Sequence, residues 1–246
     1  MVGLTPSVGL YGKHVAFGDF VAGGLPQDVQ AALEAWVHKM LPALRDLDEN
    51  TWEGRFDNAP EIRVWFGAGV VPGGFCGVIR SAKDKVGRRF PMIAGVSHCG
   101  QLPPVLDGGE LLYDVLGEAL DCFVRRTGDG AEEFAAHVLN MSAPVIALRE
   151  NDAADFWAAR PDGDLGRLAG DIAIADHDLA AVHRSYMWVR GPGGVAIHAA
   201  DQLQSADVVN WLVTDAAAFV PDLVTEDPIE DQDDNILPAA APLPTL

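Results

Sequence analysis

The sequence is poor in cysteine, in basic residues and in long apolar runs, and each shortage narrows what the chain does. The three cysteines, Cys76, Cys99 and Cys122, form no C-x-x-C pair. An odd number without that spacing argues against a disulfide framework or a zinc module and fits a reducing cytoplasm. Lys and Arg number 17 against 36 Asp and Glu, a formal net charge of −19. Seven of the acids and none of the bases lie from Asp222 onward, leaving 29 acids against 17 bases before it, still −12. Nucleic-acid phosphates and anionic lipid surfaces both need a basic footprint, so neither is an expected partner. No stretch approaches the length of a bilayer span, and the opening MVGLTPSVGLYGKH has no basic start leading into an apolar run. Neither direct membrane insertion nor a signal peptide is therefore expected, and the expected location is the cytoplasm.

Signatures of common chemistries are also missing. A phosphate-binding loop requires G-x-x-x-x-G-K-[ST], but Gly12-Lys13 is followed by His14, and Ser7 stands where the first glycine belongs. GAGVVPGG, residues 67–74, has glycines after a strand-like run, as a dinucleotide fingerprint does, yet Pro72 and a second strand-like run follow, which reads as a hairpin loop. GVSHCG has the wrong spacing for a nucleophile elbow, and alternation along a strand sends Ser97 and His98 to opposite faces. ADHD with His183 lacks a tight His pair and reads as an acidic loop rather than a metal cluster. Glu132 and Glu133 are adjacent on a helix and diverge, which is ordinary surface charge. The chain is expected to be no enzyme and to hold no metal or cofactor.

What is present is a soluble composition, 49% hydrophobic and 22% charged over 246 residues, long enough to bury a substantial core. PQDVQAALEAWVHKMLPALRDL places Val29, Leu33, Trp36, Val37 and Met40 at helical spacing, with Pro26 suited to its first turn. EIRVWFGA, FCGVIRS and RFPMIAGVSH read as consecutive strands of a meander. GGELLYDVLGEALDCFVRR and AEEFAAHVLN read as helices, SYMWVRGPGGVAIHAA as two strands around a tight turn, and SADVVNWLVTDAAAFV as a last helix. Strands adjacent in sequence tend to pair antiparallel, so the expected fold class is α+β, a mainly antiparallel central sheet flanked by helices. Residues 1–221 are expected to form one domain. Residues 222–246, acidic and rich in Pro and Ala, carry too little apolar bulk to offset their ordering entropy and are expected to be a disordered tail.

Against the general acidity, RSAKDKVGRRFP holds Arg80, Lys83, Lys85, Arg88 and Arg89 within ten residues, with Asp84 the one acid among them. Two readings stand: a loop that holds an anionic group or an acidic partner, or a turn whose arginine pairs with an internal carboxylate.

GLYGKHVAFGDFVAGGLP, SAKDKVGRRFP and SYMWVRGPGGV, in that order, resemble the TagF (ImpM-like) family associated with type VI secretion. The matching positions are Gly9, Gly12, Lys13, Gly18, Asp19, Phe20, Leu25 and Pro26, then Ser81, Asp84, Val86, Gly87, Arg88, Phe90 and Pro91, and finally Ser185 and Trp188. The resemblance spans roughly residues 9–215. The chain departs from the pattern at His14-Val15, where Leu-Pro is usual, and at Arg80, where Pro is usual, which bears on local turns. The resemblance implies a longin-like module with additional elements. It also implies a cytoplasmic accessory protein that represses secretion after translation by engaging the forkhead-associated scaffold protein of the system. The matched positions are candidates for structural or partner-binding roles, with Phe90 buried and Arg88 available to a carboxylate, Asp19 being the expected one. The alternatives are a phosphate-binding or phosphatase-like enzyme using residues 80–89, and a longin-like GTPase-associated scaffold.

Overall fold

The computed structural model describes residues 6–47, 49–98, 103–104, 110–125, 134–136, 182–191 and 194–216. The glycine-rich opening, to which the sequence patterns assign no element, forms two strands, β1 (Ser7–Lys13) and β2 (Phe20–Gly23), paired antiparallel with Lys13 opposite Phe20. The signal was weak because glycine dilutes strand propensity and β2 is only four residues long. Helix α1 (Gln27–Leu47) follows, its first backbone bond running from the Gln30 N–H to the Pro26 carbonyl. A short α2 (Trp52–Asp57) leads into the expected meander, β3 (Ile62–Phe66), β4 (Phe75–Arg80) and β5 (Met92–Ser97), with 67–74 as the hairpin loop between the first two.

Helix α3 (Leu111–Arg125) and the hairpin of β6 (Ser185–Gly191) and β7 (Gly194–Ala200) lie where the patterns put them. The described part of the last helix, expected over 205–220, lies where the pattern puts it. It comprises α4 (Ala206–Trp211) and a wider π turn over Leu212–Ala216, and residues 217–220 of the expected helix lie outside the described residues. Of the helix expected at 131–140 only residues 134–136 are described, and they are helical. The expected tail at 222–246, the His177 loop, Glu132, Glu133, Cys99 and the centre of the Gly-Pro-Gly-Gly turn also lie outside the described residues.

The strands form one open seven-stranded sheet in the order β2-β1-β5-β4-β3-β6-β7, every pairing antiparallel. The fold class is thus the α+β arrangement that the alternation of segments implies. Alternation along each strand gives the sheet two apolar faces. On one, Leu10, Val78, Met92, Ala94 and Trp188 pack against Leu112, Leu116, Leu120 and Phe123 of α3. On the other, Tyr11, Val64, Phe75, Ile93 and Met187 pack against Val29, Leu33, Trp36 and Val37 of α1 and Val209 of α4. The 81–91 segment joins β4 to β5 across the end of the sheet where β1 finishes, so it meets the β1–β2 connection.

Candidate functional site

The turn Asp84-Lys85-Val86-Gly87 is closed by the Gly87 N–H on the Asp84 carbonyl, with Gly87 at φ +87°, where L side chains are strained. A bond from the Asp84 N–H to the Arg88 carbonyl and one from the Phe90 N–H to the Ala82 carbonyl extend it into a small hairpin. Its centre is the Asp84 carboxylate, whose side chain is fully shielded from solvent. One oxygen accepts the Val86 N–H at 3.0 Å and the Arg88 N–H at 2.9 Å. The other accepts Lys13 Nζ at 2.8 Å and Arg88 Nε at 2.6 Å. Burial pushes this carboxyl up, but the hydrogen bonds from Lys13 and Arg88 outweigh it and hold the group well below the usual carboxylate range. Lys13, at the end of β1, is itself buried, so the ion pair ties the first strand to the loop across 71 positions of sequence.

Arg88 does not meet Asp19. Its Nη2 donates to the Gly18 carbonyl at 2.8 Å, while the exposed Asp19 carboxylate turns back to accept the Phe20 N–H at 2.8 Å. The correction has a local cause: a carboxylate four residues away, already ordered by its own turn, captures the guanidinium at no loop-closure cost. The Lys85 N–H adds a bond to the Phe17 carbonyl at 3.1 Å, so residues 14–20 and 84–88 form one continuous ridge. The Asx-type turn pattern D-x-x-G is the sequence signal that identifies Asp84 as its centre.

Other pattern residues line the same corner. Phe20 stacks on Tyr11 at 5.4 Å, meets Phe90 edge-on at 4.8 Å, and lies with its centroid 5.3 Å from Lys13 Nζ. Phe90 is buried, and a Cβ on Gly12 would fall 2.3 Å from the Pro91 carbonyl oxygen. His14, one of the departures, is buried with both ring nitrogens engaged: Nδ1 accepts the Ala16 N–H and Nε2 donates to the Phe123 carbonyl, each at 3.0 Å. Arg80, the other, pairs with Glu61 and Asp121. Ser81 donates to the Phe56 carbonyl, which docks α2 on the loop. At the end of α2, Asp57 binds Arg89 at 2.8 Å and Lys83 at 2.7 Å, and those hydrogen bonds, Arg89's foremost, lower its pKa to about 2. Four of the five bases therefore pair with carboxylates of the chain, and Asp57 and Glu61, which carry no sequence signal, supply two of those partners.

Ser185 and Trp188 lie elsewhere, on β6. Ser185 is buried and donates to the Gln202 carbonyl at 2.5 Å while accepting Gln204 Nε2 at 3.1 Å. Trp188 packs edge-on against Tyr113 at 4.7 Å and donates from Nε1 to Glu110 at 3.0 Å. Among the described residues there is no group of three or more His, Cys, Asp or Glu that could hold a metal ion, and no helix long and apolar enough to cross a membrane.

This geometry coincides with the segment matched by the family model for the TagF N-terminal domain, type VI secretion system-associated, which covers residues 9–138, more than half of the chain. The chain belongs to the TagF family. Among curated proteins, none matches the sequence. Among solved structures, this TagF chain is similar to the crystal structure of PA0076 from Pseudomonas aeruginosa PAO1, with a TM-score of 0.68 and 21% identity over 97% of this chain and all of that one. At that identity the likeness speaks for the fold. The TagF chain is thus a type VI secretion-associated protein, and its β1–β2 and 81–91 signatures are the two sides of one ridge.

Proposed function

We propose that this chain is a cytoplasmic, non-catalytic repressor of type VI secretion that acts after translation by binding a forkhead-associated scaffold protein of the system. Family membership supplies the pathway. The observation that carries the mode of action is how the signature residues are used. Lys13, Asp84 and Arg88 engage one another and the backbone, and they fix the shape of an exposed ridge rather than present an activated nucleophile or base. Pairing of Arg80, Lys83 and Arg89 with carboxylates argues in the same direction, since a phosphate held by residues 80–89 would compete with Glu61, Asp121 and Asp57 for those cations. A binding protein of this kind needs a stable, pre-shaped surface more than a pocket.

Deleting the gene in its host should raise secretion of type VI substrates with their transcript levels unchanged, and the purified chain should capture the forkhead-associated scaffold. Unchanged secretion on deletion, together with no capture, would sink the reading. Metal-dependent turnover of phosphoesters by the purified chain would replace it with an enzymatic one.

A further inference from the structure

The ridge has an outward side that the contacts described above leave open. Lys85 and Val86 form the tip of the 84–87 turn, Val86 being 67% exposed. Val15 is 53% and Phe20 40% exposed, and the Arg88 side chain is 61% exposed although two of its nitrogens are bonded inward. The Lys85 stem runs across Gly18, where an added Cβ would lie 2.8 Å from its Cε, and the ammonium makes no ion pair with a described residue. Lys13 and Arg88 share the buried Asp84, the exposed Asp19 accepts a backbone N–H, and Glu34 of α1 acts on Tyr11, on which Phe20 stacks, so what the ridge turns to solvent on a chain of net charge −19 is the Lys85 ammonium and the outward edge of Arg88. His38 of α1 borders the patch, 6.3 Å from the Phe20 ring.

We propose that this ridge is the partner-docking surface of the chain, and that it receives an acidic segment of another protein. Carboxylates of that segment meet the Lys85 ammonium and the outward edge of the Arg88 guanidinium, and its apolar side chains cover Val86, Val15 and Phe20. Charge complementarity chooses this occupant: a second copy of a chain this acidic is repelled over most of its surface, whereas the outward Lys85 ammonium and Arg88 edge attract a carboxylate of an acidic peptide and disfavour basic ones. The Asp84 centre gives the ridge its affinity, because the turn is ordered before the partner arrives and binding then costs little further entropy. The inference deepens the reading above, in which the partner is the forkhead-associated scaffold.

The test uses the full chain and two probes, the purified scaffold and a fluorescent 12-residue poly-glutamate peptide. Lys85→Glu and Val86→Asp change side chains outside the hydrogen-bonded network, so both variants should melt with the wild type. Each should weaken binding of the scaffold at least ~10-fold, Lys85→Arg should restore it, and wild-type binding should fall steeply with added salt. Equal scaffold binding by the wild type and Lys85→Glu would overturn the surface while leaving the scaffold as partner. If the wild type does not bind the scaffold, the functional reading fails and the peptide decides the surface: Lys85-dependent capture supports it and no capture overturns it. A third variant neutralises Glu226, Asp227, Glu230, Asp231, Asp233 and Asp234 in the full chain. If it binds either probe ~10-fold more tightly than the wild type, the ridge belongs to the chain's own acidic residues and the external-partner assignment is overturned.

Discussion

Replacing Lys13 by Met tests whether the Asp84 centre holds the first strand to the loop. Methionine keeps an unbranched apolar stem beside Phe20 and deletes the ammonium that donates to Asp84 at 2.8 Å. Removing one partner of a buried ion pair ordinarily costs about 3–5 kcal/mol. Here Asp84 retains three of its four hydrogen bonds, including the charged one from Arg88, so the loss should be smaller, about 2 kcal/mol. For a domain of this size that lowers Tm by about 4–8 °C. Arg88→Ala gives the internal comparison. Its side chain is 61% exposed and water replaces much of what it gives up, so it should cost about 1 kcal/mol. Asp19→Asn should be near neutral and uncoupled to Arg88, because Asp19 accepts a backbone N–H and not the guanidinium. Urea unfolding followed by tryptophan fluorescence measures all three. A Lys13→Met loss below about 0.5 kcal/mol, the size of an ordinary surface substitution, would refute the reasoning, as would Arg88→Ala costing more than Lys13→Met.

Acidification should act through Asp57 and Asp84. Both carboxyls titrate below their unfolded value of about 3.8 when folded, so their stabilisation is present above pH 4 and is lost as pH falls through the folded values, for Asp57 at about 2. The urea midpoint should therefore drop between pH 4 and 2, and Asp57→Asn should flatten that drop; an unchanged slope in the variant would contradict the pairing with Arg89 and Lys83. Gly87→Ala should cost about 1 kcal/mol from backbone strain alone, since nothing lies within 4 Å of the added Cβ, and Gly87→Asn should recover part of it. Gly12→Ala should cost about 3 kcal/mol, because its Cβ meets the Pro91 backbone at 2.3 Å and that backbone is fixed in the loop.

The parts of the fold that were legible are those with a strong period. Val29, Leu33, Trp36, Val37 and Met40 write α1, and the three β-branched and aromatic runs write the meander, because each buries one continuous face. β1 and β2 were illegible because Gly9, Gly12, Gly18, Gly23 and Gly24 interrupt any alternation, and only pairing with β5 turns the segment into sheet. At the candidate site the pattern named Lys13, Asp84 and Arg88 but not who meets whom. Asp19 looked available because a lone acid between glycine and phenylalanine stands out in a sequence. In the structure the preference goes to Asp84, whose turn aims two N–H groups at it before any distant residue arrives. Asp57 and Glu61 bear no mark among 36 acids and become partners only through the packing of α2 and β3 beside the loop.

The TagF pattern mixes two kinds of constraint, and sheet order separates them. Ser185 and Trp188 are buried on β6, while the ridge hangs from the end of β1 and from the connection between β4 and β5, with β3 between β4 and β6. A docked segment covering the ridge therefore does not touch Trp188, whose indole N–H already donates to Glu110 and whose ring packs on Tyr113 of α3. The β6 residues fasten the far strands to α3 and to the chain that runs into α4. The Lys13–Asp84–Arg88 centre instead fastens a surface. Of the two only the second belongs to an exposed surface, and within it substitution is freest at Lys85 and Val86, whose side chains stand outside the hydrogen bonds that their backbone N–H groups help to form.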